Sequence, residues 1–148
     1  MNTYTPITLD EFTTTMMEKG FGKFDYPRAR EVVFSRELDS RFSIIIFSSI
    51  TPCNGVSRER GSDAIRVAMY DTENSCVIKL GKRVNRVGTP EDVISRTLER
   101  ARDVYRHWKS NRCPKCNSPM QPRTRRHDKK KFLGCINFPD CRGTKEME

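Results

Sequence analysis

The chain has 148 residues, 35% of them hydrophobic and 32% charged, with a formal net charge of +9. That length holds one modest domain plus a small appended module. No apolar run reaches transmembrane length, and Met1 to Thr8 lacks the basic start and apolar core of a signal peptide, so a cytoplasmic, reducing compartment and no membrane partner are expected. Six cysteines in such a chain are expected as free thiols rather than disulfides. The charge is uneven: residues 1–110 carry 18 Lys and Arg against 15 Asp and Glu, whereas residues 111–148 carry 10 against 4.

The first expected element is a helix. Thr8 can cap it, Glu11 closes a capping box and Ile7 can staple onto Phe12. Leu9, Phe12 and Met16 share one face, and Gly20 stops the helix. A connector through Asp25-Tyr26-Pro27 leads to a strand around Glu31 to Leu38, a turn at Asp39-Ser40 and a second strand from Arg41 to Ile50. That second strand is apolar on both faces, with Phe42, Ile44 and Ile46 against Ile45 and Phe47, and belongs inside a sheet. Residues 51–62 read as a long polar loop. Ala64 to Tyr70 and Cys76 to Lys82 form another strand pair.

A long helix follows, capped by Thr89, with Pro90 first and Asp92 three residues after the cap. Val93, Leu98, Ala101, Val104, Tyr105 and Trp108 should cover one face of the sheet, while Arg96, Arg100 and Arg106 alternate with Glu99 and Asp103 on a solvated face. The expected fold is α+β: a four-stranded antiparallel sheet with an N-terminal helix and a long C-terminal helix over residues 1–110, then a separate module over 111–148. Sheets of this kind, backed by a C-terminal helix, occur in several small nucleic-acid-binding folds, which is analogy at the level of fold alone.

A basic set lies on and beside the expected strands. Arg66 and Lys79 point away from the apolar faces of their strands, and Arg83 and Arg86 follow in the chain. Arg58 and Arg60 sit in the glycine-flanked loop, and Tyr70, in register with Arg66, can offer a stacking ring. For any one of these residues, ordinary solubilising charge is an equal reading; as a set they point to a phosphate backbone.

The C-terminal module carries the clearest chemistry. Cys113 and Cys116 are two residues apart, eighteen residues follow, and Cys135 and Cys141 bracket five more. Two close thiol pairs joined by a hairpin's length of chain suit a tetrahedral zinc ion, each pair gripping one side. Around them, Cys113-Pro114-Lys115-Cys116, Met120, Arg123, Phe132-Leu133-Gly134-Cys135 and Phe138-Pro139-Asp140-Cys141-Arg142-Gly143-Thr144 resemble the C-terminal four-cysteine zinc-finger module of bacterial type IA DNA topoisomerases. Asn117 stands where that family usually has glycine, and Phe138 where tyrosine is commoner; Asn tolerates a left-handed backbone and Phe keeps the ring. The resemblance covers about residues 111–146 and implies a structural zinc and a DNA-binding role, chiefly for single strands, without chemistry. Within it Arg123, Arg125, Arg126, Lys129, Lys130 and Lys131 are dense enough to track a backbone. Phe132 and Phe138 are candidate stacking rings, and equally candidates for the module's small core.

Enzymatic constellations are missing from the pattern. Asp63, Asp71 and Glu73 can supply one acid of a nuclease site, but Val77 stands where Lys79 would need an acid partner. Cys53 and Cys76 lack an obvious base, leaving their role undetermined, and no His-x-Glu or Cys-x-Glu accompanies the cysteines as a deaminase requires. His107 reads as a surface or boundary residue and His127 as a phosphate neighbour rather than a ligand. The expectation is a non-enzymatic, zinc-containing nucleic-acid-binding protein, with single-stranded DNA favoured. The alternative is an adaptor or inhibitor that docks on a polymerase or another DNA-processing enzyme. Oligomeric state is not indicated.

Overall fold

The computed structural model describes residues 9–53, 56–59, 65–85 and 88–147. Helix α1 (Leu9–Glu18) is followed by strands β1 (Gly22–Phe24), β2 (Val33–Glu37), β3 (Phe42–Phe47), β4 (Ile50–Cys53), β5 (Val56–Glu59), β6 (Ile65–Asp71) and β7 (Cys76–Val84). Helix α2 (Pro90–Ser110) then leads into β8 (Met120–Thr124), β9 (Lys131–Cys135) and β10 (Thr144–Glu146). The expected cap and staple of α1 at Thr8 and Ile7 lie outside the described residues.

The fold is α+β, but the main sheet has five strands rather than four, in the order β1-β2-β3-β6-β7. All of its pairings are antiparallel. The additional strand is β1, three residues inside the expected connector, paired Gly22 to Ser35 and Phe24 to Val33. Residues expected as a polar loop instead hold a hairpin, β4 on β5, pairing Thr51 with Arg58 and Cys53 with Val56.

β3 is the middle strand and is buried throughout, as its two apolar faces require. Phe42, Ile44 and Ile46 join Val67 and Met69 of β6 and Ile78 and Leu80 of β7 in the larger core, which both helices cover through Phe12, Met16, Val93, Ala101 and Val104. Phe12 packs on Phe34 of β2 with ring centroids 5.4 Å apart. α2 begins with the expected capping box: Thr89 Oγ1 accepts from the Asp92 amide at 3.2 Å, and Asp92 Oδ2 accepts from the Thr89 amide at 3.1 Å. Such a cap contributes about 1 kcal/mol. The buried stripe of α2 includes Thr97, whose hydroxyl donates to the Val93 carbonyl at 2.8 Å. Tyr105, expected on the sheet-facing stripe, is exposed beside Trp108.

The second face of the sheet is covered in part. Val33, Ile45, Phe47, Ala68 and Tyr70 form a smaller core, capped by Phe24, Tyr26 and Ala29 from β1 and the segment after it. The Tyr70 ring meets Phe24 edge-on at 5.0 Å and Tyr26 at 6.0 Å. Among the described residues, no helix is long and apolar enough to cross a membrane.

The C-terminal module docks directly on this domain, only Asn111 and Arg112 separating the end of α2 from Cys113. Ile136 packs against the larger core. His107 near the end of α2 donates its Nε2 hydrogen to the Met120 carbonyl at 2.6 Å, and its Nδ1 accepts from the Asn111 amide at 3.0 Å. That donor and acceptor set needs the neutral ring, which burial favours by lowering the His107 pKa. Arg112 lies over Trp108 at 4.8 Å.

An ion pair between a half-buried arginine and a buried carboxylate marks the other end of the junction. Arg41 donates from Nε and Nη2 to the two carboxylate oxygens of Asp71, both at 2.9 Å, and from Nη2 to Asn137 Oδ1 of the module at 3.3 Å. Burial opposes ionisation of Asp71, but hydrogen bonds from Arg41 and Asn74 outweigh it and hold the carboxyl below its ordinary value. The pair's stability is therefore complete above the unfolded Asp pKa of about 3.9 and is lost as pH falls through the lower folded value. Arg41→Ala, which strands the Asp71 carboxylate, should cost roughly 3 kcal/mol. Urea unfolding of the zinc-loaded protein at neutral pH measures this, and the difference from wild type should shrink in acid.

Candidate metal centre and nucleic-acid interface

The metal centre is built from two knuckles. In the first, the Asn117 amide donates to the Cys113 carbonyl at 2.8 Å, the Lys115 amide donates to Cys113 Sγ at 3.4 Å, and Asn117 takes φ of 62°. That left-handed turn is the conformation asparagine tolerates where glycine is otherwise favoured. The second knuckle repeats the pattern, with the Asn137 amide donating to Cys135 Sγ at 3.4 Å. The hairpin of β8 and β9, with β10 on its far side, turns the second knuckle back onto the first.

The four sulfur atoms of Cys113, Cys116, Cys135 and Cys141 lie within 4.8 Å of one another. Cys113 and Cys141 are 3.6 Å apart at sulfur, and Cys116 and Cys135 3.4 Å. Sulfurs bound to one zinc ion at about 2.3 Å in a tetrahedron stand about 3.8 Å apart, so the donor set fits zinc after small shifts, outward for the two closest pairs and inward for the widest. The cluster includes all four predicted ligands, and among the described residues no histidine or carboxylate joins it. Hydrogen bonds from Ser118 draw the Cys116 thiol down to about 6, while burial pushes Cys135 up to about 12. Zinc takes all four as thiolates, releasing the remaining protons.

Two features of the site were not apparent from spacing. A methyl group at Gly143 would run into the Cys113 sulfur, so the glycine is required by the metal shell itself. Asn137 serves both modules: its Nδ2 donates to Ser118 Oγ at 2.9 Å and approaches Cys116 Sγ at 3.8 Å, while its Oδ1 receives Arg41.

Gly134 leaves space for another side chain. A Cβ there would meet Arg123 Cδ at 2.7 Å, so Arg123 crosses the β9 backbone in space the glycine leaves open, and a larger residue would displace the end of its side chain. Its Nη2 donates to the Cys135 carbonyl at 3.3 Å, and its guanidinium lies 4.9 Å from the centre of the Phe138 ring. Arg142 stands 5.8 Å from the same ring. Phe138 is 51% exposed and Phe132 half-buried, so Phe138 is the more open ring of the two.

The remaining cations of the hairpin surround the turn between β8 and β9. Lys129, Lys130 and Lys131 are exposed, as are Arg125 and Arg126. Lys129 turns the chain with φ of 56°, and its amide donates to the Arg125 carbonyl at 3.0 Å. Arg125 is 3.5 Å from Asp128, which also lies near His127. In the main domain Arg66, Lys79 and Arg83 are exposed and line one groove. Tyr70, expected as an open stacking ring, is only 8% exposed, because Phe24 and Tyr26 cover it. The side chain of Arg58 lies outside the described residues, as do Arg60 and Arg86.

Residues 110–148 match the family described as Topoisomerase DNA binding C4 zinc finger. Together with the sulfur cluster this defines a topoisomerase-type zinc ribbon that holds one structural zinc ion. No curated protein and no solved structure matched the chain.

Two substitutions test the shell without touching a cysteine. Gly143→Ala and Asn137→Ala should each lower zinc affinity by about 10-fold to 100-fold, through a clash in the first case and lost positioning bonds in the second. Competition against a chromophoric chelator measures this, against one zinc per chain in wild type. Unchanged zinc retention in both variants would contradict the geometry.

Proposed function

We propose that the protein binds nucleic acid through its zinc ribbon, with single-stranded DNA favoured over duplex and RNA, and carries out no chemistry of its own. The observation that carries this reading is the Phe138 ring, held open to solvent between Arg123 and Arg142 in a module of DNA-binding zinc-finger type. An exposed ring flanked by guanidinium groups suits an unstacked base beside its phosphates. The exposed Lys129, Lys130 and Lys131 extend the positive surface along the hairpin. Such contacts bring affinity and salt sensitivity with little sequence preference.

Support for a non-enzymatic role comes from the donor set. Four thiolates complete a tetrahedron and leave no position at which zinc could activate water or a substrate. The zinc is structural, and its task is to hold both knuckles and Phe138 in place.

Fluorescence anisotropy with single-stranded DNA, duplex DNA and RNA at several salt concentrations tests the reading. Neutralising Lys129, Lys130 and Lys131 together should flatten the log–log salt slope for single-stranded DNA by about two units, at about 0.7 per phosphate contact. Phe138→Ala should weaken binding by about 1–3 kcal/mol with little change in slope, since stacking releases no counterions. A stable complex with a DNA-processing enzyme, formed by a chain that binds no nucleic acid, would favour the adaptor alternative.

A further inference from the structure

The second face of the main sheet carries a feature that the ribbon does not explain. Where the segment after β1 crosses this face, it leaves a groove of roughly 890 Å³ against β6 and β7, within the range of about 300–1,000 Å³ usual for ligand sites. Its floor is apolar, formed by Tyr26, Phe47, Ala68 and Val77. Its rim is strongly cationic: Arg28 and Arg30 rise from the crossing segment, Arg66 from β6, and Lys79 and Arg83 from β7.

The acid in this rim is already engaged. Glu31 accepts from Arg66 at 3.1 Å with one carboxylate oxygen and from the Ser49 amide at 2.8 Å with the other. Arg28, Arg30, Lys79 and Arg83 have no acidic partner among the described residues. Arg66 and Arg83 also stand directly opposite each other across the β6–β7 ladder, a like-charge pairing that Glu31 offsets on the Arg66 side only and that a bound anion would relieve further.

The backbone is shaped at the same place. Between the pairs Val67–Lys82 and Met69–Ile78, the single residue Ala68 faces three, Lys79, Leu80 and Gly81. Gly81 takes φ of 71°, and nothing lies within 4 Å of where its Cβ would be, so the glycine serves the chain direction rather than packing. A bulge of this kind bends the strand and re-aims its side chains, a device common beside binding sites.

We propose that this groove is a second nucleic-acid site, which takes a short stretch of single strand with its phosphates on Arg28, Arg30, Lys79 and Arg83 and one base against Tyr26. This rests on the reading of the protein as a nucleic-acid binder and extends it from the ribbon to the main sheet. The two halves of the surface select the ligand class. A small inorganic anion uses the rim and leaves the floor uncovered, and an acidic peptide brings charges but no flat ring at regular spacing. A nucleic-acid strand matches both, with phosphates on the cations and a base face on the floor.

The test uses the intact zinc-loaded chain and a 20-residue oligo-dT in the same anisotropy assay. The double variant Arg28→Glu/Arg30→Glu should weaken binding at least about tenfold, and Arg28→Gln/Arg30→Gln should flatten the salt slope by about 1.4 units. Arg83→Gln, on the opposite wall, should flatten it by about 0.7 units. Circular dichroism and zinc content should match wild type in all of them. If the groove variants bind as wild type does while neutralising Lys129–Lys131 weakens binding, the ribbon reading survives and the groove proposal is overturned. If wild type binds no nucleic acid, both fail together. Displacement of oligo-dT from a variant with a neutralised ribbon turn by poly-glutamate, at equal charge concentration, would assign the groove to acidic peptides instead.

Discussion

Thiolates gathered within 4.8 Å of one another repel, and only a cation at their centre makes the arrangement favourable. The C-terminal module has little else to hold it. Its own core consists of Cys113, Met120, Leu133 and Cys135, with Cys141 packed against them, so most of its interior is the metal shell. A module of this size cannot bury enough apolar surface to fold on that alone. The conformations of the two knuckles, the place of Gly143 and the posture of Phe138 all follow from closing four sulfurs around one ion.

That constraint reaches beyond the ribbon because Asn137 belongs to two networks. Its backbone amide and side chain steady the sulfurs, and its side-chain oxygen receives Arg41, which is locked by the buried carboxylate of Asp71. At the other end of the junction, neutral His107 bridges α2 to the first residue of β8. The ribbon is thus attached at several points, with Ile136 seated against the larger core. Both proposed surfaces are carried on one frame, where engagement of one raises the local concentration of the other site for the same strand.

Features set by local chemistry were readable from the chain. The cysteine spacing identified the ligands because each pair grips the metal within a few residues. Thr89, Pro90 and Asp92 marked the start of α2 because a cap is made by its own side chains. The two-sided hydrophobicity of Phe42 to Phe47 placed that strand inside the sheet. What could not be read depends on distant parts of the chain meeting. β1 is three residues long and is a strand only because β2 lies beside it. Alternation put Tyr70 and Arg66 on one face, but nothing local to them said that Phe24 and Tyr26 would cover the tyrosine and leave the arginine open. The roles of Asn137 and of the cations on the crossing segment likewise arise only once the sheet and ribbon are assembled. The β4–β5 hairpin is a different case. Its strands are broken up by Pro52, Ser57 and Arg58, yet Asn54-Gly55 between them is the strongest short-range hairpin signal and outweighs the polarity of the segment.

The order of the main sheet has a bearing on how the protein behaves in concentrated solution. A sheet left open at its sides can template pairing with another chain, and both sides here are blunted. On one side, β1 offers only Gly22, Lys23 and Phe24, too short a ladder to recruit a partner strand. On the other, β7 is interrupted by its bulge, carries Lys79, Lys82 and Arg83, and has the ribbon's β8 packed near it. The same bulge and cations that line the groove therefore also guard this edge of the sheet against pairing with another chain.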